Sequence, residues 1–180
     1  MSAPARPRPL PARTCARDHW DTEEHIKASG LAHTFLRDNV YSDLFPYLAG
    51  EDGVIRGAAG DGRVAGIAQD DIAEAATAVL QSPATHVGSS YELTGPEALT
   101  LADVADLLTH VTGRKITYEP EGREEAYESR RPFADAQWQL DGWVSTYLAI
   151  AASEMAQVSD GVVVLTGREP ISAEALLRSL

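Results

Sequence analysis

Residues 37–43 read RDNVYSD and place a guanidinium, an amide, a phenol and a hydroxyl within one short stretch. Asn39 can offer its amide to a carboxamide or carbonyl, and Tyr41 can stack on a planar ring or donate its hydroxyl. Arg37 supplies a fixed positive charge and Ser42 a small hydroxyl beside them. The stretch directly follows LAHTFLR, which has strand character. In open α/β sheets ligands bind beyond the carboxyl ends of the strands, so these residues are candidates for lining a crevice. A structural reading stands beside this one, in which Arg37 pairs with a local acid and Tyr41 packs beneath covering helices.

Other chemistry-bearing residues are weaker candidates. Gly57, Gly60 and Gly62 have the spacing G-x-x-G-x-G. A phosphate cradle requires that such a turn open into a helix whose amides face the pyrophosphate. RVAGIAQ follows instead and is extended, so the spacing predicts a hairpin turn. Glu23 with Glu24, Asp70 with Asp71 and Glu124 with Glu125 are adjacent pairs, whose side chains diverge on a helix. Near helix starts they serve capping and the dipole better than acid–base catalysis. His19 and Glu23 lie one helical turn apart and could share a hydrogen bond, but they fit no H-E-x-x-H metal set; His25, His33, His86 and His110 stand alone. No G-x-S-x-G elbow for a nucleophilic serine occurs. Trp138, Trp143 and Tyr147 fit a packed helix face better than a ring-binding box.

The elements that must position these residues follow from periodicity and punctuation. A short helix is expected from Asp18 to Ser29, stopped by Gly30, followed by a strand over 31–37. Two extended runs flank GAAGDG, and a helix capped by Asp70 or Asp71 follows. A strand at 90–95 precedes a helix framed by Thr100 and Asp103, which have capping-box spacing; Gly113 ends that helix, and KITYEP returns as a strand. Beyond Pro120 only helices are expected: a short charged one, a long one across 135–158, and a last one after Ser172. This order predicts an α/β fold, a partial Rossmann-like, incompletely doubly wound parallel sheet with a helical C-terminal subdomain. The expected divisions are a Pro/Arg-rich disordered tail at 1–17, the sheet-bearing part at 18–120 and the helical cap at 121–180.

Charge and composition narrow the function classes. The 180 residues carry a formal charge of -12. Arg6, Arg8, Arg13 and Arg17 give the first 17 residues +4, which leaves -16 on the rest. Such a body repels a phosphate backbone, so no nucleic-acid partner is expected. No signal-peptide pattern and no membrane-length apolar run is present, and a cytoplasmic protein is expected. The single cysteine, Cys15, permits neither an internal disulfide nor a cysteine metal site.

The stretches HIKASGLAHTFLRDNVYSD, GVIRGAAGDGRVAGIAQDDIAEAATAVL and YELTGPEALTLADVADLLTHVTGRKITY together resemble the C-terminal half of the NmrA-like proteins. These are atypical short-chain dehydrogenase/reductase relatives, and the likeness is greatest to the type 2 NAD(P)H:quinone oxidoreductases. The resemblance covers residues 18–180. It implies a Rossmann domain that binds NADP, a helical C-terminal cover, and hydride transfer to a small quinone. The family's loop typically reads R-N-G-W-Y-S. Arg37, Tyr41 and Ser42 keep that pattern, while Asp38, Asn39 and Val40 occupy the positions of its asparagine, glycine and tryptophan.

By the same resemblance Arg37, Asn39, Tyr41 and Ser42 are the candidate cofactor-binding residues. The family's opening strand and G-x-x-G-x-x-G loop are missing from the sequence, which reads as a truncated form. There is no Y-x-x-x-K pair either, since YESRR puts Arg131 at the lysine position. The alternative implied by the same family is an inactive remnant or a redox-sensing binding module. Loss of the leading sheet units would expose apolar surface worth about 25 cal/mol per Å2 on burial, so self-association through the sheet is a further expectation.

Overall fold

Two pairs of parallel strands form the skeleton of the computed structural model, which describes residues 15 to 180. The expectation for the first 14 residues lies outside the described residues. Strand β1 (Phe35–Asp38) pairs with β4 (Ser90–Leu93), and β2 (Val54–Gly57) pairs with β6 (Thr117–Pro120). A small antiparallel pair, β3 (Arg63–Val64) with β5 (Leu99–Thr100), and a bridge from Tyr41 to Ile67 stitch the two together. Around them lie α1 (Cys15–Ala28), α2 (Gln69–Gln81), α3 (Leu101–Thr112), α4 (Arg123–Arg130), α5 (Gln137–Ala151), α6 (Gly161–Thr166) and α7 (Ala173–Leu177). The mixed α/β class with parallel pairing is the one read from the sequence.

Local signals account for several elements. Thr100 accepts from the Asp103 amide while the Asp103 carboxylate accepts from the Thr100 amide, and this reciprocal cap starts α3. Gly113, at φ 71°, ends it in the left-handed conformation that glycine adopts without steric cost. Its buried face, Leu101, Val104, Ala105 and Leu108, recurs at helical spacing and joins Phe45, Ile55 and Val64 in the main core. Each of the large side chains there contributes about 2 kcal/mol by burial.

Long-range packing overrides other local signals. GAAGDG is not a hairpin turn. β2 leaves it bound to β6 and β3 bound to β5, so the turn is a corner between two sheets. The corner is tight because the chain runs against α5: a Cβ on Gly57 would enter the Tyr147 ring, and one on Gly62 would overlap the Ile150 carbonyl. Asp70 and Asp71 do not cap α2. Its first amide, at Gln69, donates instead to Asp43 Oδ2 at 2.9 Å. Asp71 is wholly buried, accepts from the Ile171 amide at 2.8 Å and faces Arg168 at 2.7 Å, and so ties α2 to the segment before α7.

Three boundaries also shift. α1 starts at Cys15 rather than Asp18, the first strand is Phe35–Asp38 rather than 31–37, and the long helix ends at Ala151 rather than near 158. Trp138 and Trp143 are 68% and 37% exposed, so the packed face of α5 is carried by Leu140, Val144 and Ile150 rather than by its tryptophans. α6, built from the β-branched run GVVVLT, has no sequence signal of a helix. It forms because Val162 is buried against Ile67, Ala75 and Leu93.

Candidate functional site at the carboxyl end of β1

Beyond Asp38 the chain leaves β1 and is held on both sides. The Asn39 amide donates to the Leu93 carbonyl at 3.2 Å, which continues the parallel ladder with β4. The Ile67 amide donates to the Val40 carbonyl at 2.9 Å, and the Ser42 amide returns a bond to the Ile67 carbonyl at 2.8 Å. Gly66 permits this approach, because a Cβ there would lie 2.7 Å from Ser42 Oγ and 2.8 Å from Phe45 Cζ. The carboxyl end of β4 reaches the same point, where the Gly95 amide donates to the Gly66 carbonyl at 2.8 Å. Three chain segments thus converge where the sequence placed the candidate loop.

The four candidate residues are used differently. Arg37 lies on β1 with its guanidinium held by Glu23 at 2.6 and 2.7 Å and by Glu92 at 2.8 Å. Those carboxylates raise its pKa further, Glu23 foremost. Asn39 gives its side-chain N–H to the Met155 carbonyl at 3.0 Å and accepts from the Val40 amide at 2.7 Å. The same Met155 carbonyl accepts the Ala65 amide at 2.8 Å, so the segment after α5 straps over the ends of β1 and β3. Ser42 is buried beside Gly66. Tyr41 packs, partly buried, against the cluster formed by Ile67, Ala75, Leu93 and Val162. Asp38 beside its hydroxyl, through hydrogen bonding and charge, raises the phenol pKa above its ordinary value of 10.0, and burial adds to the shift.

Asn39, Tyr41 and Ser42 are therefore neighbours at one strand end, and Arg37 faces α1 and β4. Sequence reasoning did not single out Asp38, Asp43 or Met155 as parts of this site. A signal existed only for Asp38, three residues before Tyr41, because the other two act over long range.

No family model matches the chain. It is 42% identical over 109 residues to quinone oxidoreductase 2 of Escherichia coli (strain K12), which covers 58% of this chain and 37% of that protein. The crystal structure of an NADPH-dependent quinone oxidoreductase from Escherichia coli, complexed with NADPH, superposes with a TM-score of 0.81 at 28% identity, over 91% of this chain and 59% of that one. This chain is similar to part of quinone oxidoreductase 2. NmrA, a negative transcriptional regulator solved in complex with NAD, shares the fold at a TM-score of 0.64 and 16% identity, over 89% of this chain and 56% of that one. The chain spans well under two thirds of the length of the curated relatives it matches.

A dinucleotide has an aromatic end and a charged diphosphate, and the strand-end loop fits only the first. Tyr41 offers a ring and a protonated hydroxyl there. Arg37 is already neutralised by two carboxylates, and the corner at 57–62 leads into β3 rather than into a helix. Neither feature grips a phosphate. Among the described residues no helix is long and apolar enough to cross a membrane.

Proposed function

We propose that the chain forms the nicotinamide-side wall of a cytoplasmic NAD(P)H-dependent oxidoreductase, with NADP as cofactor and a small quinone as hydride acceptor. The single observation carrying this reading is the convergence of Asn39, Tyr41 and Ser42 at the carboxyl end of β1, where open α/β sheets place their ligands. The 42% identity to a quinone oxidoreductase supports the same class.

The nicotinamide supplies the hydride when bound, and the chain's own residues supply position and hydrogen bonding. Tyr41 keeps its proton at neutral pH, shared with the Asp38 carboxylate, and offers its ring face to the planar end of the cofactor. Asn39 fixes the loop through Met155, while Arg37 anchors the strand end to α1 and β4. Residues 121–180 serve as the helical cover.

That Asn39 and Arg37 are committed to internal bonds favours a second reading, a binding module or remnant without catalysis. Titrating the purified chain with NADPH and following nicotinamide fluorescence separates the two. The reductase reading expects saturable binding that weakens in Tyr41→Ala, together with oxidation of NADPH when benzoquinone is added. A flat titration up to millimolar NADPH sinks it and leaves the second reading.

A further inference from the structure

The strap that follows α5 crosses the strand ends on few contacts. Of residues 152–158 only Met155 and Ala156 are half-buried, and the others are exposed. The far end is pinned where it closes β4: Ser159 Oγ donates to the Glu92 carbonyl at 2.6 Å, and the Ser159 amide donates to Thr94 Oγ1 at 2.9 Å. The middle is pinned at one atom, the Met155 carbonyl, which accepts the Ala65 amide at 2.8 Å and the Asn39 side-chain N–H at 3.0 Å. The near end is strained. Ser153, at φ 56°, is the only non-glycine residue with a positive φ among the described residues. Its amide donates to the Ile150 carbonyl at 2.8 Å and the Glu154 amide to the Ala149 carbonyl at 3.0 Å, the pattern that ends a helix on glycine. A serine there sets its Cβ against the following carbonyl, so the closed strap is less stable than a glycine would make it.

The two donors on Met155 are not equivalent. Ala65 is wholly buried and gives a main-chain amide that cannot turn elsewhere. Asn39 gives a side-chain N–H from the carboxyl end of β1, the place where open α/β sheets bind ligands, and that N–H can turn to another carbonyl. Departure of Asn39 leaves the Met155 carbonyl with the Ala65 amide, so the exchange orphans no buried polar atom. The middle of the strap then rests on one hydrogen bond instead of two, next to a strained turn.

We infer that residues 152–158 are a latch over the strand ends, closed by Asn39 on the Met155 carbonyl and opened by a ring-borne carboxamide that takes the Asn39 donor. Nicotinamide is such a ring, and in naming it the inference rests on the reductase reading. Ligand and strap compete for one side chain, so each weakens the hold of the other by the same factor. Opening lets Ser153 leave the left-handed region and absorb the change in chain direction, as a hinge does. Its strain keeps the closed latch from being so stable that a ligand could not displace it.

The test compares the 180-residue chain with Ser153→Gly, which relieves the closed latch and alters neither Asn39 nor Met155. In amide hydrogen exchange without ligand, Ala65 is expected to exchange about ten-fold faster than Ile67, whose amide is held by the Val40 carbonyl rather than by the strap. Ser153→Gly is expected to slow Ala65 about five-fold and to leave Ile67 unchanged. In a fluorescence titration with NADPH the same variant is expected to bind about five-fold more weakly, although it unfolds at a higher temperature. A purely structural Ser153 would raise the unfolding temperature and leave NADPH affinity unmoved, and that result would overturn the latch. Exchange of Ala65 in step with Ile67 would overturn it as well. Both of these results spare the reductase reading, whereas absence of NADPH binding by the unaltered chain removes the reading and the latch together.

Discussion

The side chain of Asn39 is bonded to the main-chain carbonyl of Met155 at 3.0 Å, across 116 positions of sequence. This one bond fixes the loop after β1 to the segment after α5, so loop geometry and helical cover are coupled. Asn39→Ala is expected to cost about 1–2 kcal/mol, since it removes a donor to Met155 and the acceptor for the Val40 amide together. Asn39→Asp is expected to cost more, because a carboxylate would face a carbonyl. Urea unfolding of the three proteins checks the order.

The corner between β2 and β3 predicts a contrast between two nearby glycines. Gly62→Ala drives a methyl group into the Ile150 carbonyl, which belongs to backbone and cannot rotate away, and a loss of about 2–3 kcal/mol is expected. At Gly60, φ is +51° and nothing lies within 4 Å, so Gly60→Ala is expected to cost only about 1 kcal/mol of backbone strain. Thermal unfolding of both variants reads the difference, and equal losses would contradict the close packing of α5 against this turn.

Acid stability should respond to the link between α1 and β1. Hydrogen bonding from Arg37 lowers the Glu23 pKa below its ordinary 4.5, against a smaller opposing effect of burial, with charges from Arg37 and Lys27 assisting. A depressed folded-state pKa contributes stability that is present above pH 4.5 and is lost as pH falls through the folded value. Glu23→Gln is therefore expected to flatten the stability profile below pH 4.5 while lowering stability at pH 7. A variant profile parallel to the unaltered one would contradict the pairing.

Tyr41 should titrate late. Its phenol is raised above 10.0 chiefly by Asp38, so Asp38→Asn is expected to move the transition down toward the ordinary value. The sign is opposite to that of Glu23: the Asp38–Tyr41 contact stabilises the fold below pH 10 and is lost as pH rises through the folded value. Tyrosine ring resonances followed by NMR between pH 8 and 12 distinguish Tyr41 from Tyr118, whose pKa is raised by burial first.

What the sequence made legible was local. Thr100 with Asp103, Gly30 and Gly113 in the left-handed conformation, and the Ser172 cap of α7 each act within a few residues, so spacing alone reveals them. Asp43 capping α2, Met155 accepting from Asn39 and Ser159 closing β4 act across 26 to 116 positions, and no period or motif encodes them. The corner at GAAGDG misled for the same reason: turn chemistry predicts a reversal but does not say which strands will pair. α6 contradicts its β-branched composition because packing against α2 and β4 outweighs propensity. At the candidate site, the nearness of Asn39, Tyr41 and Ser42 follows from sequence adjacency, while the turn of Arg37 toward Glu23 and Glu92 and the tie of Asn39 to Met155 could be seen only in three dimensions.

The account rests on the loop after β1 facing the nicotinamide end of a dinucleotide, and amide chemical-shift mapping with NADPH tests it most directly. Shifts centred on Asn39, Tyr41 and Ser42, and small at residues 57–62, are the expected result. A map centred on the 57–62 corner, or no shift near Tyr41 at saturating NADPH, would contradict it.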